Sequence, residues 1–176
     1  ENRINLGLQE RDEKHIDKYI DFMGGTITKS KCIKNMNNKE FISYRASFRS
    51  TLVSKFLYKL GITPNKSLTL DYKGKMTNDF IRGVIDGDGY IRKTHTEVSI
   101  ATGSIKFAKQ LQEFIINNYK VRCTIRKTKV HLYTVGVFGG KQVRKILEEL
   151  YGNADVYLER KYLNAMLCRN TQATTF

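Results

Sequence analysis

Three features of the sequence predict an α+β fold built from one supersecondary unit used twice. The order strand, helix, strand, strand, helix is expected over residues 4–60 and again over residues 98–150. An offset of about 92 residues carries Leu8 onto Ile100 and Lys14 onto Lys106, and one of about 95 carries Lys66 onto Lys161, which marks an internal repeat. In the strands, apolar residues alternate with cationic and hydroxyl residues, so each sheet has one face that packs and one that does not. The repeat predicts a first unit over 1–75 and a second over 76–176.

In order along the chain, Ile4, Leu6 and Leu8 alternate with polar positions and predict a strand. Asp12 is the expected N-cap of a helix with Ile16, Tyr19, Ile20 and Met23 at helical spacing, ended by Gly24-Gly25. Strands follow at 26–33 and 41–49, joined by the polar turn Lys34-Asn35-Met36-Asn37-Asn38. A second helix is expected over 51–60, with Leu52, Phe56, Leu57 and Leu60 on one stripe, Gly61 past its end and Pro64 in the loop beyond. Residues 76–89 give an apolar helical face of Phe80, Gly83, Val84 and Ile85 that ends in Asp86-Gly87-Asp88-Gly89 and has no counterpart in the first unit. The second copy then predicts a strand at 98–101, a helix at 104–117 with Phe107, Leu111, Phe114 and Ile115 apolar, and a hairpin of 121–125 with 130–137. A helix at 140–150 closes it, with Val143, Ile146, Leu147 and Leu150 on one stripe.

A chain of 176 residues with 40% hydrophobic and 27% charged content can bury a core, which excludes collagen-like, disordered and disulfide-scaffold classes. Lys and Arg number 31 against 17 Asp and Glu, a formal charge of +14 that points to a polyanionic partner, although surface charge can also serve solubility alone. Cys32, Cys123 and Cys168 form no metal or disulfide pattern, so a reducing, intracellular setting is expected. His15, His95 and His131 are scattered over different elements and predict no zinc or histidine-based site. No apolar run approaches the roughly 20 residues of a membrane span, and Glu1-Asn2-Arg3 is unlike a signal peptide, so a soluble protein without a membrane partner is expected.

The cations have a placement as well as a number. Ile42, Tyr44, Ala46 and Phe48 alternate with Ser43, Arg45, Ser47 and Arg49, and Val121, Cys123 and Ile125 alternate with Arg122, Thr124 and Arg126. Arg92 and Lys93 follow Tyr90-Ile91 on a third strand, and Thr134 adds a hydroxyl on the strand after Arg126. Strand faces turned to water are often cationic, but the repetition in both copies favours a binding role. Arg offers a bidentate fork and hydroxyls both donate and accept, the chemistry that reaches base edges and phosphates in a major groove. The sheets are therefore the candidate nucleic-acid face. Neither an RNA-recognition aromatic motif nor a GxxxxGK[ST] phosphate loop is present.

The run Ile81-Arg82-Gly83-Val84-Ile85-Asp86-Gly87-Asp88-Gly89, with Asp79-Phe80 before it and Tyr90-Ile91 after, resembles the signature of the LAGLIDADG homing endonucleases. Asp-Gly-Asp-Gly alone also fits a calcium loop or a turn. The resemblance implies two pseudo-symmetric αββαββα units, each with an antiparallel sheet that contributes to a DNA-binding saddle. It implies that Gly83 and Gly87 form the contact face between two motif helices, and that Asp88, with the Gly87 carbonyl, ligates Mg²⁺, for which Mn²⁺ or Ca²⁺ can substitute in binding. Asp86 reads as a structural acid. Lys161 and its counterpart Lys66 match the family's basic residue near the scissile phosphate, and Thr102 with Lys106 and Glu10 with Lys14 match its polar water network.

The implied function is a site-specific homing endonuclease acting on a long double-stranded DNA target. The alternatives on the same fold are a non-cleaving DNA-binding regulator and an intron maturase. One departure stands out: Asp88 carried back by 92 positions falls before Glu1, so the first unit's motif helix is not in this sequence. A piece of a longer monomeric pseudo-dimer, a homodimer through the single motif helix, and a chain that lost the motif but kept DNA binding are the three readings of that departure. The missing acid bears on double-strand cleavage by this chain alone.

Overall fold

Alternation of Ile4, Leu6 and Leu8 with polar residues produces β1, Arg3–Gln9, whose even positions turn inward. The computed structural model describes residues 2–128 and 132–170, without the side chains of 168–170; Val130, His131 and the side chain of Cys168 lie outside the described residues. Two compact units are present, Glu1–Tyr58 and Lys59–Phe176. Both combine helices with antiparallel sheets, the α+β class that the periodicities predict.

In the first unit β1 is followed by α1 (Glu13–Met23), β2 (Thr28–Met36), β3 (Lys39–Arg49) and α2 (Thr51–Lys59), and the sheet order is β1-β3-β2. Ile16 on α1 and Ala46 on β3 are fully buried, so α1 covers the apolar face of the sheet. Asp12 does occupy the N-cap position, but it makes no capping hydrogen bond. A 3-10 turn, Glu10–Asp12, leads into α1, and Asp12 is itself buried. The hairpin is tighter than the five-residue turn expected from composition. Its strands run to Met36 and from Lys39, and Asn37 and Asn38 alone turn the chain with φ of 52° and 58°. Asn tolerates this left-handed geometry, which matches the twist of the flanking strands. On α2 the apolar stripe is not covered within its own unit: Leu52 and Phe56 are exposed.

The second unit contains α3 (Asn78–Asp88), β4 (Gly89–Ile91), β5 (Glu97–Thr102), α4 (Ile105–Tyr119), β6 (Cys123–Lys127), β7 (Tyr133–Phe138), α5 (Gly140–Tyr151) and α6 (Glu159–Asn170). Its sheet order is β4-β5-β7-β6. Ile91, Val98, Ile100, Cys123, Val135 and Val137 form the inner face, packed with Ile81 and Ile85 of α3, Phe107, Leu111 and Ile115 of α4, and Val143, Ile146 and Leu147 of α5. Burial pushes the Cys123 thiol up to about 11, so it remains an inert core group.

Residues 59–75 pack in this second unit, although the sequence repeat ends the first unit at 75. Leu60, Ile62 and Leu70 lie against its core, and Tyr72 stacks on Phe80 with ring centroids 4.2 Å apart. Gln110 clamps the backbone of Tyr72, donating from Nε2 to its carbonyl at 2.9 Å and accepting its N–H at 3.1 Å. Ser104 caps α4, its hydroxyl accepting from Phe107 N at 3.3 Å while donating to the Leu70 carbonyl at 2.5 Å. The repeat tracks duplication, whereas packing follows the apolar side chains. The helix α6 has no clean apolar stripe to announce it: Ala165 is buried while Leu163 and Leu167 are exposed.

Candidate nucleic-acid interface and cleft

Thr77 starts α3, its hydroxyl accepting from Phe80 N at 3.2 Å. From there the helix sends two charged residues, four apart, into the protein. Arg82 is buried and donates from Nε to the Val156 carbonyl at 2.7 Å, from Nη1 to the Leu150 carbonyl at 3.0 Å, and from Nη2 to Asp79. Asp86, also buried, accepts from the Tyr151 hydroxyl at 2.6 Å and from Leu158 N at 2.9 Å. Burial, reinforced by the Asp86 charge, pushes the Tyr151 hydroxyl well above its usual range, so its proton stays in that bond. Both side chains therefore tie α3 to the end of α5 and the segment that follows. On the opposite side, Gly83 and Gly87 are exposed, with open space where a Cβ would stand.

Asp88 closes α3 and is exposed. With Lys66, Ser67, Val84, Ile100, Thr102, Gly103 and others it lines an open cleft of ≈ 340 Å³. Two of the three predicted catalytic residues, Asp88 and Lys66, thus line one cleft. Among the described residues Asp88 makes no hydrogen bond or ion pair. A carboxylate is unfavourably placed at the negative end of a helix, and a bound cation reverses that cost. No group of three or more His, Cys, Asp or Glu residues gathers among the described residues. One hard carboxylate and the nearby last-turn carbonyls, with the remaining positions left to water and phosphate, nevertheless suit Mg²⁺, which seldom takes an all-protein cage.

Lys161, at the start of α6, is elsewhere. It is buried, and its ammonium donates to the Gly89 carbonyl at the junction of α3 and β4. Gly89 has no space for a side chain, since a Cβ would lie 2.6 Å from the Ile85 carbonyl oxygen. Lys161 and Gly89 together fix the backbone immediately after Asp88. Of the water-network matches, Thr102 lines the cleft and accepts from Ser104 N at 3.2 Å, while Lys106 lies 3.9 Å from Asp71. Glu10 and Lys14 are exposed in the first unit.

Gly103 is a residue of the cleft that sequence reasoning passed over. A Cβ there would meet the Ser67 carbonyl oxygen at 2.6 Å and Leu68 Cδ2 at 2.7 Å, so the absent side chain lets the 3-10 turn Lys66–Leu68 approach the β5–α4 connection. Gly103→Ala is expected to push that turn away, costing about 1–3 kcal/mol of stability by overpacking. Thermal melting measures the cost, and unchanged melting would show that the turn yields freely.

The outer face of the first sheet is a second cavity, of ≈ 440 Å³, lined by Arg3, Asn5, Thr26, Thr28, Ser30, Arg45, Ser47, Phe48 and Arg49. Register explains the grouping: Arg3 pairs with Arg49, Asn5 and Thr28 flank Ser47, and Gly7 and Ser30 flank Arg45. Ser47 donates to Asn5 Oδ1 at 2.7 Å. The predicted Arg45, Ser47 and Arg49 all lie here, and no carboxylate lines the cavity. Arg3, Asn5, Thr28 and Ser30 were legible as the polar partners of the alternation in their strands.

On the outer face of the second sheet, Tyr90, Ser99, Gly136 and Thr124 form one cross-strand row, Glu97 faces Phe138, and Ala101, Thr134 and Arg126 form another row. The predicted Thr124, Arg126 and Thr134 lie on this face. Arg92 is exposed just past β4, Lys93 is in the turn after it, and Arg122 is exposed ahead of β6. Glu97 and Phe138 escaped sequence reasoning because neither has the charge or polarity of a nucleic-acid ligand. Arg92 donates from Nε to Glu97 Oε2 at 3.0 Å and from Nη2 to the same oxygen, Ser99 donates to Glu97 Oε1 at 3.1 Å, and Arg126 lies 4.6 Å above the Phe138 ring.

Residues 75–151, from α3 through α5, match the LAGLIDADG-like domain family. No curated protein sequence matches the chain. The homing endonuclease I-DmoI in complex with DNA and Ca is similar at TM-score 0.60 and 16% identity, over 96% of this chain and 83% of that one. The meganuclease I-SmaMI bound to uncleaveable DNA is similar at 0.56 and 12%, over 98% and 82%. Full-length DUF199/WhiA from Thermatoga maritima is similar at 0.59 and 12%, over 99% of this chain but 54% of that one, so the chain spans about half of its length. At these identities the three likenesses show a common fold, that of the LAGLIDADG homing endonucleases. The chain thus matches the LAGLIDADG-like domain family over residues 75–151, within a fold it shares with the LAGLIDADG homing endonucleases.

Proposed function

We propose that the chain binds a specific double-stranded DNA through its two cationic sheet faces and hydrolyses a phosphodiester at the Asp88 cleft with a divalent metal. The observation that carries the cleavage step is the unpartnered Asp88 carboxylate at the end of α3, on a cleft it shares with Lys66. That I-DmoI is solved with DNA and Ca and with DNA and Mn supports a divalent ion at this fold.

Asp88, with the Gly87 carbonyl, would hold the ion, and the chemistry it supplies when bound is activation of a water and stabilisation of charge at the leaving oxygen. Lys66 supplies a fixed positive charge on the cleft wall, where it lowers the energy of charge developing on the phosphate. Lys161 is a positioning residue: its bond to the Gly89 carbonyl holds the backbone that aims Asp88. Gly83 and Gly87 leave the outer side of α3 open to the close approach of a second motif helix, which would bring the acid for the other strand.

The test selects bound duplexes from a randomised pool and scores each strand for cuts in Mg²⁺, in Ca²⁺ and in chelator. Cutting in Mg²⁺ alone is expected. Selective binding with no cut in any metal would replace this reading by a non-cleaving DNA-binding protein, and preference for folded RNA over duplex would replace it by a maturase. Binding is also expected to weaken steeply with salt, each phosphate contact contributing roughly 0.9 to the log-log slope. A nearly flat slope would remove the cationic faces from the account.

A further inference from the structure

The outer face of the second sheet contains an acid and an aromatic ring where a surface meeting DNA phosphates should have neither. Glu97 on β5 and Phe138 on β7 stand directly opposite each other in the ladder, so both point to the same side. Each engages one arginine. Glu97 takes the Nε and Nη2 side of Arg92 on a single oxygen and spends its other oxygen on Ser99, so it offers no bare carboxylate to the solvent. Phe138 lies across Gly136, where an added Cβ would come within 2.7 Å of the ring, and Arg126 rests 4.6 Å above the ring centroid.

The consequence is orientation. Because Glu97 occupies the Nε/Nη2 edge of Arg92, the Nη1/Nη2 edge is left without a partner among the described residues, and that edge is a pair of parallel donors. The Arg126 side chain makes no hydrogen bond among the described residues, and its contact with the ring 4.6 Å away favours one placement of the guanidinium. A phosphate can also take the arginine fork, but its attraction is chiefly to the cation's charge, which a carboxylate beside it offsets. The O6 and N7 acceptors of guanine lie side by side in the major groove and do require a planar, pre-set fork.

We propose that Glu97 and Phe138 are positioning residues that pre-orient Arg92 and Arg126 to read guanines in the half of the target facing the second sheet. This rests on the duplex-DNA reading above. The gain is specificity: an arginine already held in plane loses less side-chain freedom when it engages the base.

The experiment starts from duplexes selected by the wild-type chain and replaces each guanine in turn by 7-deazaguanine, which removes N7 and leaves the Watson–Crick pair intact. Wild type is expected to lose about tenfold or more in affinity at two guanines on the same side of the site. Glu97→Gln is expected to abolish the dependence at one of them and Phe138→Leu at the other, with the salt slope unchanged, while Phe138→Tyr, which keeps the ring, retains it. Affinity indifferent to 7-deazaguanine at every position overturns the proposal while leaving duplex binding intact. So does a drop in salt slope of about one for either variant with its base preference kept, since the arginines would then be phosphate contacts. Failure of the wild type to retain any duplex removes the underlying reading as well. Melting of the three variants separates a lost contact from a lost fold.

Discussion

Asp88→Asn is expected to bind the selected duplex within about twofold of wild type and to cut it roughly a thousandfold more slowly, the loss of several kcal/mol of charge stabilisation. Asn keeps the shape of the side chain and removes its charge, so the backbone that Lys161 and Gly89 secure has no reason to move. A second consequence points the opposite way. An unpartnered anion at the C-terminal end of α3 opposes the helix dipole, so the variant is expected to gain about 0.3–1 kcal/mol of stability. A carboxylate retained at a cost to the fold is what a functional group looks like. Cleavage surviving within tenfold of wild type, measured by single-turnover nicking in Mg²⁺, would move the metal site away from Asp88. A fall in melting temperature would instead make the residue structural.

The other large effect concerns the fold. Arg82→Leu removes a buried guanidinium and leaves the Leu150 and Val156 carbonyls without their donor, a loss expected to cost about 3–5 kcal/mol. In thermal melting that corresponds to a fall of about 10 °C or more. Arg82→Lys should recover part of it, because an ammonium keeps the charge but cannot reach two carbonyls and Asp79 in the same planar geometry. A shift of only a degree or two for Arg82→Leu would show that the end of α5 does not depend on α3 for its hydrogen bonds. The other buried charge of α3, Asp86, predicts the same sense of change, since its loss strands the Tyr151 hydroxyl and Leu158 N.

Asp86 and Asp88 illustrate how far a motif can be read. Two residues apart at the end of one helix, they differ by about 200° around its axis, so one must turn inward when the other faces out. The resemblance placed the structural role on Asp86 and the metal on Asp88. The packing explains the first assignment, because only Asp86 meets Tyr151 and Leu158, residues 65 and 72 positions away. Lys66 and Lys161 are a contrasting pair. The repeat makes them equivalents, yet Lys66 lines the cleft and Lys161 is buried against Gly89. A repeat in sequence equates positions but does not equate their surroundings.

By itself the sequence determined the strands and helices up to α5, the polar faces of both sheets and the helix that ends in Asp88, but not α6. Each of these follows from a period of two or of 3.6 residues and needs only neighbouring residues to be seen. The tertiary structure alone decided which groups meet. It set Glu97 beside Arg92 and opposite Phe138, brought the turn at Lys66 onto Gly103, and drew residues 59–75 into the second unit. These contacts depend on strand register, on the turn between β4 and β5 and on close backbone approach between separate segments, and local periodicity carries no record of them.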